Sequence, residues 1–349
     1  MNKTLFENGL VITVDDQDTV YRKGYLLVEG DRIAAVGEGD YAGDRAGVTV
    51  VDADGKAVLP GIVDAHTHVA GSLFKGLLED DPNGFYGFAL PMEGQLTPED
   101  VYHLSRLGAW ECMQAGVTTV NEIYHYVLSV AKAVDEVGLR AVISQNIVDV
   151  DIGALRYNDY TRYPAKGEAF VEDNIRLIEE YHGKDNGRIT CRFGPHATDT
   201  VSMELAKKCV ELGKKYGVGF HTHVAQSERE VALLQEAYGL TPVEFLRETG
   251  LLGDHLMAAH CIYTCLLYTS PMRVGQRHQA RARQTVLIEM GEKRLCMPGG
   301  VARVDHQAAA VAAHIAQHGP VAGLVGVHIP DAAGKMMKHL FRSFPISGV

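Results

Sequence analysis

Residues 58–68, Val-Leu-Pro-Gly-Ile-Val-Asp-Ala-His-Thr-His, constrain the fold of this chain more than any other stretch. The apolar run reads as a buried strand that delivers His66 and His68 at its C-terminal end. Alternate side chains of a strand point the same way, so both imidazoles can address one centre. In a parallel barrel, the C-terminal ends of the strands are where chemistry sits. Neutral imidazole is the commonest protein ligand for a transition metal, and zinc takes nitrogen at about 2.0–2.1 Å. A single His-x-His pair is a weak signal. Two further strand-end histidines, His223 and His260, follow at βα spacing and turn it into a candidate metal site.

Around this feature the period of the sequence changes. Segments 5–14, 25–29, 32–36 and 48–52 read as short strands separated by turn residues such as Glu29-Gly30-Asp31 and Asp54-Gly55. Residues 1–57 are therefore expected to form a small β domain. From residue 58 strands alternate with helices, the pattern of an α/β fold with a TIM-like (β/α) barrel. After the first strand a long loop, 69–96, leads to a helix start at Thr97-Pro98, with acidic residues in the first turn. Strands are expected at 117–122, 140–147, 188–196, 218–223 and Leu256–His260. Helices are expected near 99–115, 126–137, 167–182, 201–216 and 226–249, the last broken near Gly239. Six units are legible where a closed barrel needs eight, so residues 58–264 read as a barrel truncated after about six units.

Beyond residue 264 the βα period stops. Cys265-Leu-Leu-Tyr-Thr-Ser-Pro271 opens a basic stretch; residues 271–349 carry ten Lys and Arg against four Asp and Glu, while the rest of the chain is acidic. Residues 265–349 accordingly read as an unrelated or misassembled tail, within which 307–318 suits a helix and 321–329 a strand. The net charge of -11 argues against nucleic acid as a partner. No run approaches the ~18 apolar residues of a membrane span, and the first residues lack a secretory apolar region. Six scattered cysteines without a Cys-x-x-Cys pair suit free thiols in a reducing cytoplasm. Composition leaves a homo-oligomer open.

Leu59-Pro-Gly-Ile-Val-Asp-Ala-His-Thr-His, Leu90-Pro-Met-Glu-Gly-Gln-Leu-Thr, Gly194-Pro-His-Ala, His223-Val-Ala-Gln-Ser-Glu-Arg-Glu and Ala259-His-Cys stand in one order. Over residues 1–264 this set resembles the amidohydrolase superfamily, within it the branch of S-adenosylhomocysteine/methylthioadenosine deaminases, cytosine and guanine deaminases and triazine chlorohydrolases. The resemblance implies that His66, His68 and His223 are metal ligands, that His260 positions the attacking water, and that Glu93 and His196 contact substrate. Each has a plainer alternative: Glu93 as a residue ahead of a helix cap, His196 as a satisfied strand-end histidine. His221, one layer deeper, reads as a core histidine. Binuclear relatives bridge two cations with a strand-four lysine; residues 188–196 contain none, which implies one cation, Zn²⁺ first and Fe²⁺ second. The implied substrate is a small N-heterocycle, a purine or pterin, losing an exocyclic amine as ammonia.

Two departures stand out. Where the resemblance implies a glutamate three residues after His223, the chain has Gln226, and an amide cannot take up a proton. Glu228 and Glu230 are expected to face solvent on the next helix, leaving His260 as the alternative base. The family's strand-eight aspartate has no counterpart; Asp305 is the one tail aspartate after a short apolar stretch and lies too near strand six. The C-terminal strands that complete the family's β domain are also expected to be missing. The expectation is thus a metal-dependent hydrolase of non-peptide carbon–nitrogen bonds, with two alternatives: a chlorohydrolase or ring-amide hydrolase on the same scaffold, or an inactive chimeric fragment.

Overall fold

The computed structural model describes residues 2–78 and 84–264 and the backbone of residues 325–328. Its strands are β1 Lys3–Ile12, β2 Val20–Glu29, β3 Arg32–Glu38, β4 Val48–Asp52, β5 Lys56–Leu59, β6 Ile62–Thr67, β7 Val117–Tyr124, β8 Arg140–Gln145, β9 Ile189–Cys191, β10 Phe220–Val224, β11 Leu256–His260 and β12 Val325–His328. They divide between two compact units, one built on residues 2–62 and the other on residues 63–111 and 119–264.

In the first unit one hydrogen-bonded sheet runs in the order β12-β5-β1-β2-β3, with β4 also paired to β1. β1 serves two parallel partners in turn: Lys3–Glu7 lie against Val48–Asp52, then Leu10 and Val11 against Ala57 and Val58. The change of partner falls at Asn8, whose φ of 67° is left-handed and whose amide donates to Asp52 Oδ1 at 2.9 Å. At Gly9 a Cβ would stand 3.0 Å from the Cβ of Ala53, so a side chain there would crowd the crossover. Phe6, Val11, Leu26, Ala53 and Val58 fill the core beneath it. One expectation is corrected here. A C-terminal segment does join this sheet, because β12 pairs antiparallel with β5, Val325 opposite Leu59 and His328 opposite Lys56. The helix expected at 307–318 and Asp305 lie outside the described residues.

The second unit is α/β. The hydrogen-bonded order is β6-β7-β8-β9, with β7/β8 and β8/β9 parallel, and β10 and β11 form a parallel pair. Two isolated parallel bridges, Phe193 to Phe220 and Ala197 to His223, link the chain after β9 to β10. All six expected strands of residues 58–264 are present in order. The helices between them follow from local chemistry. Val127–Val137 buries Val127, Val130, Ala131 and Val134, the i, i+3, i+4, i+7 stripe of one helix face, and ends at Gly138 with φ 89°. Thr97 and Asp100 cap Pro98–Gln114 reciprocally, each side chain accepting the other's backbone N–H. The break expected near Gly239 is real: Glu228–Tyr238 stops at Gly239, φ 66°, and a Thr241–Glu244 capping box starts Pro242–Thr249. The loop 69–96 is less irregular than expected, holding a 3₁₀ turn at Val69–Phe74 and a helical run through Phe85–Ala89 and Leu90–Glu93.

β9 is shorter than the expected span of 188–196, and Asn174 stands where its ladder with β8 ends. Fully buried, it accepts from Gln145 N at 3.0 Å and donates to Arg192 O at 3.0 Å, replacing the ladder where β8 and β9 part. Asn174→Ala would strand both backbone groups. Since each buried unpaired group costs about 1–3 kcal/mol, we expect a loss of about 2–4 kcal/mol in denaturant unfolding. No helix among the described residues is long and apolar enough to cross a membrane.

Candidate metal centre

The ends of β6, β7, β10 and β11, with the segment after β9, carry the chemistry of the second unit. β6 presents His66, and His68 follows it at the start of the Val69–Phe74 turn. The end of β6 is tied to β7 by polar groups: Asn121 Nδ2 donates to Ala65 O at 2.8 Å, and the fully buried Glu122 accepts from Val69 N at 2.8 Å. β10 delivers His221 and His223, both buried, and β11 ends in His260 with φ 69°.

The rings converge. Centroids lie 4.8 Å apart for His66–His68 and His66–His223, 5.2 Å for His66–His260 and 5.3 Å for His223–His260. His66, His223 and His260 each offer a ring nitrogen, all within 4.8 Å of one another. His68 joins them with its Nε2 3.4 Å from His223 Nε2.

Tautomers follow from the outer partners. His68 Nδ1 stands 2.6 Å from Ile123 O, and His223 Nδ1 stands 2.5 Å from His196 O. A carbonyl only accepts, so both Nδ1 atoms carry the proton and both Nε2 atoms are bare lone pairs. Two bare nitrogens 3.4 Å apart cannot hydrogen-bond to each other. That separation matches the edge of a tetrahedron about zinc with bonds of ~2.0–2.1 Å, roughly 3.3–3.4 Å. His66 Nε2 is also buried and unpartnered, while its Nδ1 shares a proton with His221 Nε2 at 2.9 Å. His221 is buried as expected for a core residue, and it orients a ligand candidate from behind.

Burial holds the imidazoles neutral. It lowers the pKa values of His66, His68, His196 and His223 below the usual histidine range and that of His221 to about 3, while His260, at the exposed end of β11, is lowered to about 4 by the partial desolvation of its ring and by His68. Neutral, nitrogen-rich and partly stripped of hydrogen-bond partners, this donor set fits a borderline cation such as Zn²⁺.

Glu93 and His196 flank the cluster. Glu93 ends the helical run Leu90–Glu93, accepts from Tyr124 OH at 3.0 Å and lies 3.9 Å from His125 Nε2; burial pushes its carboxyl up to about 7. It is therefore an engaged acid rather than a residue idling ahead of a cap. The ring of His196 lies 4.7 Å from that of His223, with Nδ1 2.8 Å from Thr200 Oγ1. The Thr200 hydroxyl also lies 3.3 Å from Ala197 O, to which it can donate, so its oxygen receives His196 Nδ1–H and leaves His196 Nε2 as an acceptor.

Gln226 is half-buried just past β10. Glu228 is exposed as expected, but Glu230 is not. Glu230 is fully buried and accepts from Ala225 N at 2.9 Å, Gln226 N at 2.8 Å and the Thr198 hydroxyl. Ala225, at φ 50°, turns the backbone over this carboxyl, and the resulting burial with Asp199 nearby pushes Glu230 up to about 8. Tyr124 and His125 also escaped notice in the sequence. Carrying the strand at 117–122 two residues further would have brought them to the strand end.

The amidohydrolase family profile matches residues 57–292. A 5'-deoxyadenosine deaminase of Methanothermobacter thermautotrophicus is 36% identical over 69% of this chain and 54% of its own length. A 5-methylthioadenosine/S-adenosylhomocysteine deaminase of Desulfitobacterium hafniense (strain Y51) is 34% identical over 75% of this chain and 58% of its own. Among solved structures, an adenosine deaminase from Xanthomonas campestris with bound zinc superposes with a TM-score of 0.64 at 25% identity, over 74% of this chain and 57% of that one. The chain thus spans little more than half the length of the curated relatives it matches.

Proposed function

This chain belongs to the amidohydrolase family, and from that premise we propose that it is a metal-dependent hydrolase of non-peptide carbon–nitrogen bonds, a deaminase of an adenosine-like N-heterocycle. The observation that carries the reading is the pair of bare nitrogens of His68 and His223, 3.4 Å apart, with ring nitrogens of His66, His223 and His260 within 4.8 Å of one another. His66, His68 and His223 would hold one cation, Zn²⁺ ahead of Fe²⁺, with His260 beside it. When bound, the ion lowers the pKa of water toward ~7 and so makes a nucleophile available at neutral pH. The architecture fits the same premise, with the six strands as an arc of a (β/α) barrel and the N-terminal sheet as part of a β-sandwich. The thiols of Cys191, Cys209 and Cys261 are free, which suits a reducing cytoplasm.

Hydrolytic deamination consumes one water, releases ammonia and leaves a carbonyl on the ring. It requires a proton to reach a ring nitrogen and another to reach the departing amine. Glu93, with its carboxyl near 7, can hold or release a proton at physiological pH, and Tyr124 keeps it aimed. His196 Nε2 offers an acceptor for a heterocycle or sugar donor. His260 is neutral at pH 7 and is the remaining base at the strand ends. Gln226 can only hydrogen-bond there.

Gln226 also favours a second reading. A leaving group that departs without protonation, such as chloride from a triazine, depends less on a proton shuttle. The test is ammonia release from 5'-deoxyadenosine and methylthioadenosine, run beside chloride release from a chlorotriazine, with the zinc-loaded chain. We expect slow ammonia release that rises 10²- to 10⁴-fold in Gln226→Glu, the usual worth of one positioned acid–base group. Chloride release that Gln226→Glu leaves unchanged, without ammonia, would select the second reading.

A further inference from the structure

Arg229 lies three residues beyond Gln226, on the helix Glu228–Tyr238, and joins segments far apart in sequence. Its guanidinium carbon lies over two tyrosine rings, 4.4 Å from the centroid of Tyr86 and 5.1 Å from that of Tyr160. Nη2 donates to Leu155 O at 2.6 Å. The Tyr86 hydroxyl lies 3.3 Å from Ser227 Oγ, a second tie to the same helix start. Tyr86 in turn opens the helical run through Phe85–Ala89 and Leu90–Glu93, and Glu93 closes it. The first five residues of that run are a π-helix, a rare geometry that recurs at functional sites. Leu90, one turn on, packs with Val148, Val150, Ile152 and Leu155, the same loop that Arg229 grips by its carbonyl.

We infer that Arg229 is a positioning residue. By holding Tyr86 and Leu155 together it fixes the far end of a stiff helical run and so sets where Glu93 stands against Tyr124 and the histidine cluster. The planar guanidinium suits this task, since it stacks on both rings while a nitrogen at its rim still reaches a carbonyl. Lysine retains charge but has no plane to stack.

The inference rests on the proposed role of Glu93, and its test separates the two. Zinc-loaded full-length chain with Arg229→Met is compared with the unaltered chain by titrating the Glu93 side-chain carboxyl by carbon-13 NMR and by measuring the dissociation constant of 5'-deoxyadenosine. Zinc content serves as the control on the histidines. The expected result is one zinc per chain, a Glu93 midpoint at least one pH unit lower as water reaches the loosened run, and nucleoside affinity weakened tenfold or more. Arg229→Lys should recover part of both effects. Should Arg229→Met not fold, Tyr86→Leu opens the same clamp from the other side and should lower the Glu93 midpoint alike. A Glu93 midpoint that stays put with zinc retained overturns the inference. Absence of nucleoside binding in the unaltered chain would instead count against the substrate reading, and the carboxyl titration would still decide the role of Arg229.

Discussion

Replacing His66 and His68 by alanine together is expected to take zinc binding from one equivalent per chain to none. The two residues supply a buried, unpartnered Nε2 and one of the two bare nitrogens that face each other at 3.4 Å. What remains, His223 and His260, is two imidazoles, below the three protein ligands that zinc sites ordinarily keep. The variant loses the bonds of His66 to His221 and of His68 to Ile123 O, so its fold is verified beside the metal content. Equilibrium dialysis with metal analysis reads the stoichiometry directly, and far-UV circular dichroism checks the fold. His221→Ala should have a milder effect, since His221 touches His66 Nδ1 from behind and the typical worth of such support is 10- to 100-fold in metal affinity.

The metal-free chain is expected to unfold cooperatively in acid, with a midpoint between pH 5.5 and 4.5. Burial lowers the pKa values of His66, His68, His125, His196, His221 and His223, those of His125 and His221 to about 4 and about 3. A group with a depressed folded pKa gives stability that is whole above its unfolded value of about 6.5 and fades as pH falls below it. At pH 5 an imidazole held neutral by the fold costs it about 2 kcal/mol relative to neutral pH, so a few of them reach several kcal/mol. Buried carboxyls work in the opposite direction. Glu93 and Glu230, raised to about 7 and about 8, take up protons in the folded state first and return about 5 kcal/mol over the same interval. The histidine cost is thus of the order of a domain's entire stability of about 5–15 kcal/mol, while the raised carboxyls oppose it. Glu122, Asp64 and Asp199, also raised by burial, oppose it further and hold the midpoint below the usual histidine range. Zinc binds the folded state and should move the midpoint lower. Native far-UV dichroism in the chelated protein at pH 4 would contradict the burial of these histidines.

Both effects trace to features that were legible in the sequence because they are local. A period of two places His66 and His68 on one side of a strand end, and βα spacing carries His223 and His260 to neighbouring ends. Capping chemistry at Thr97 and the glycine at 239 were readable as helix boundaries. What escaped depends on contacts distant in sequence. Glu230 sits in a surface-like helical pattern, yet Thr198, 32 residues earlier, and the left-handed turn at Ala225 draw it inside. At the early end of β9 stands Asn174, whose partners Gln145 and Arg192 lie 29 and 18 residues away. The pairing of Val325–His328 with β5 joins residues more than 260 positions apart, beyond the reach of any local period.

The most direct test of the account is the zinc K-edge absorption spectrum of the chain loaded with one equivalent of the metal. An account built on His66, His68, His223 and the nearby His260 predicts a first shell of nitrogen and oxygen at about 2.0–2.1 Å, with the outer-shell scattering of at least three imidazoles. A sulfur shell at about 2.3 Å, or fewer than three imidazoles, would contradict it and would place the cation elsewhere in the chain.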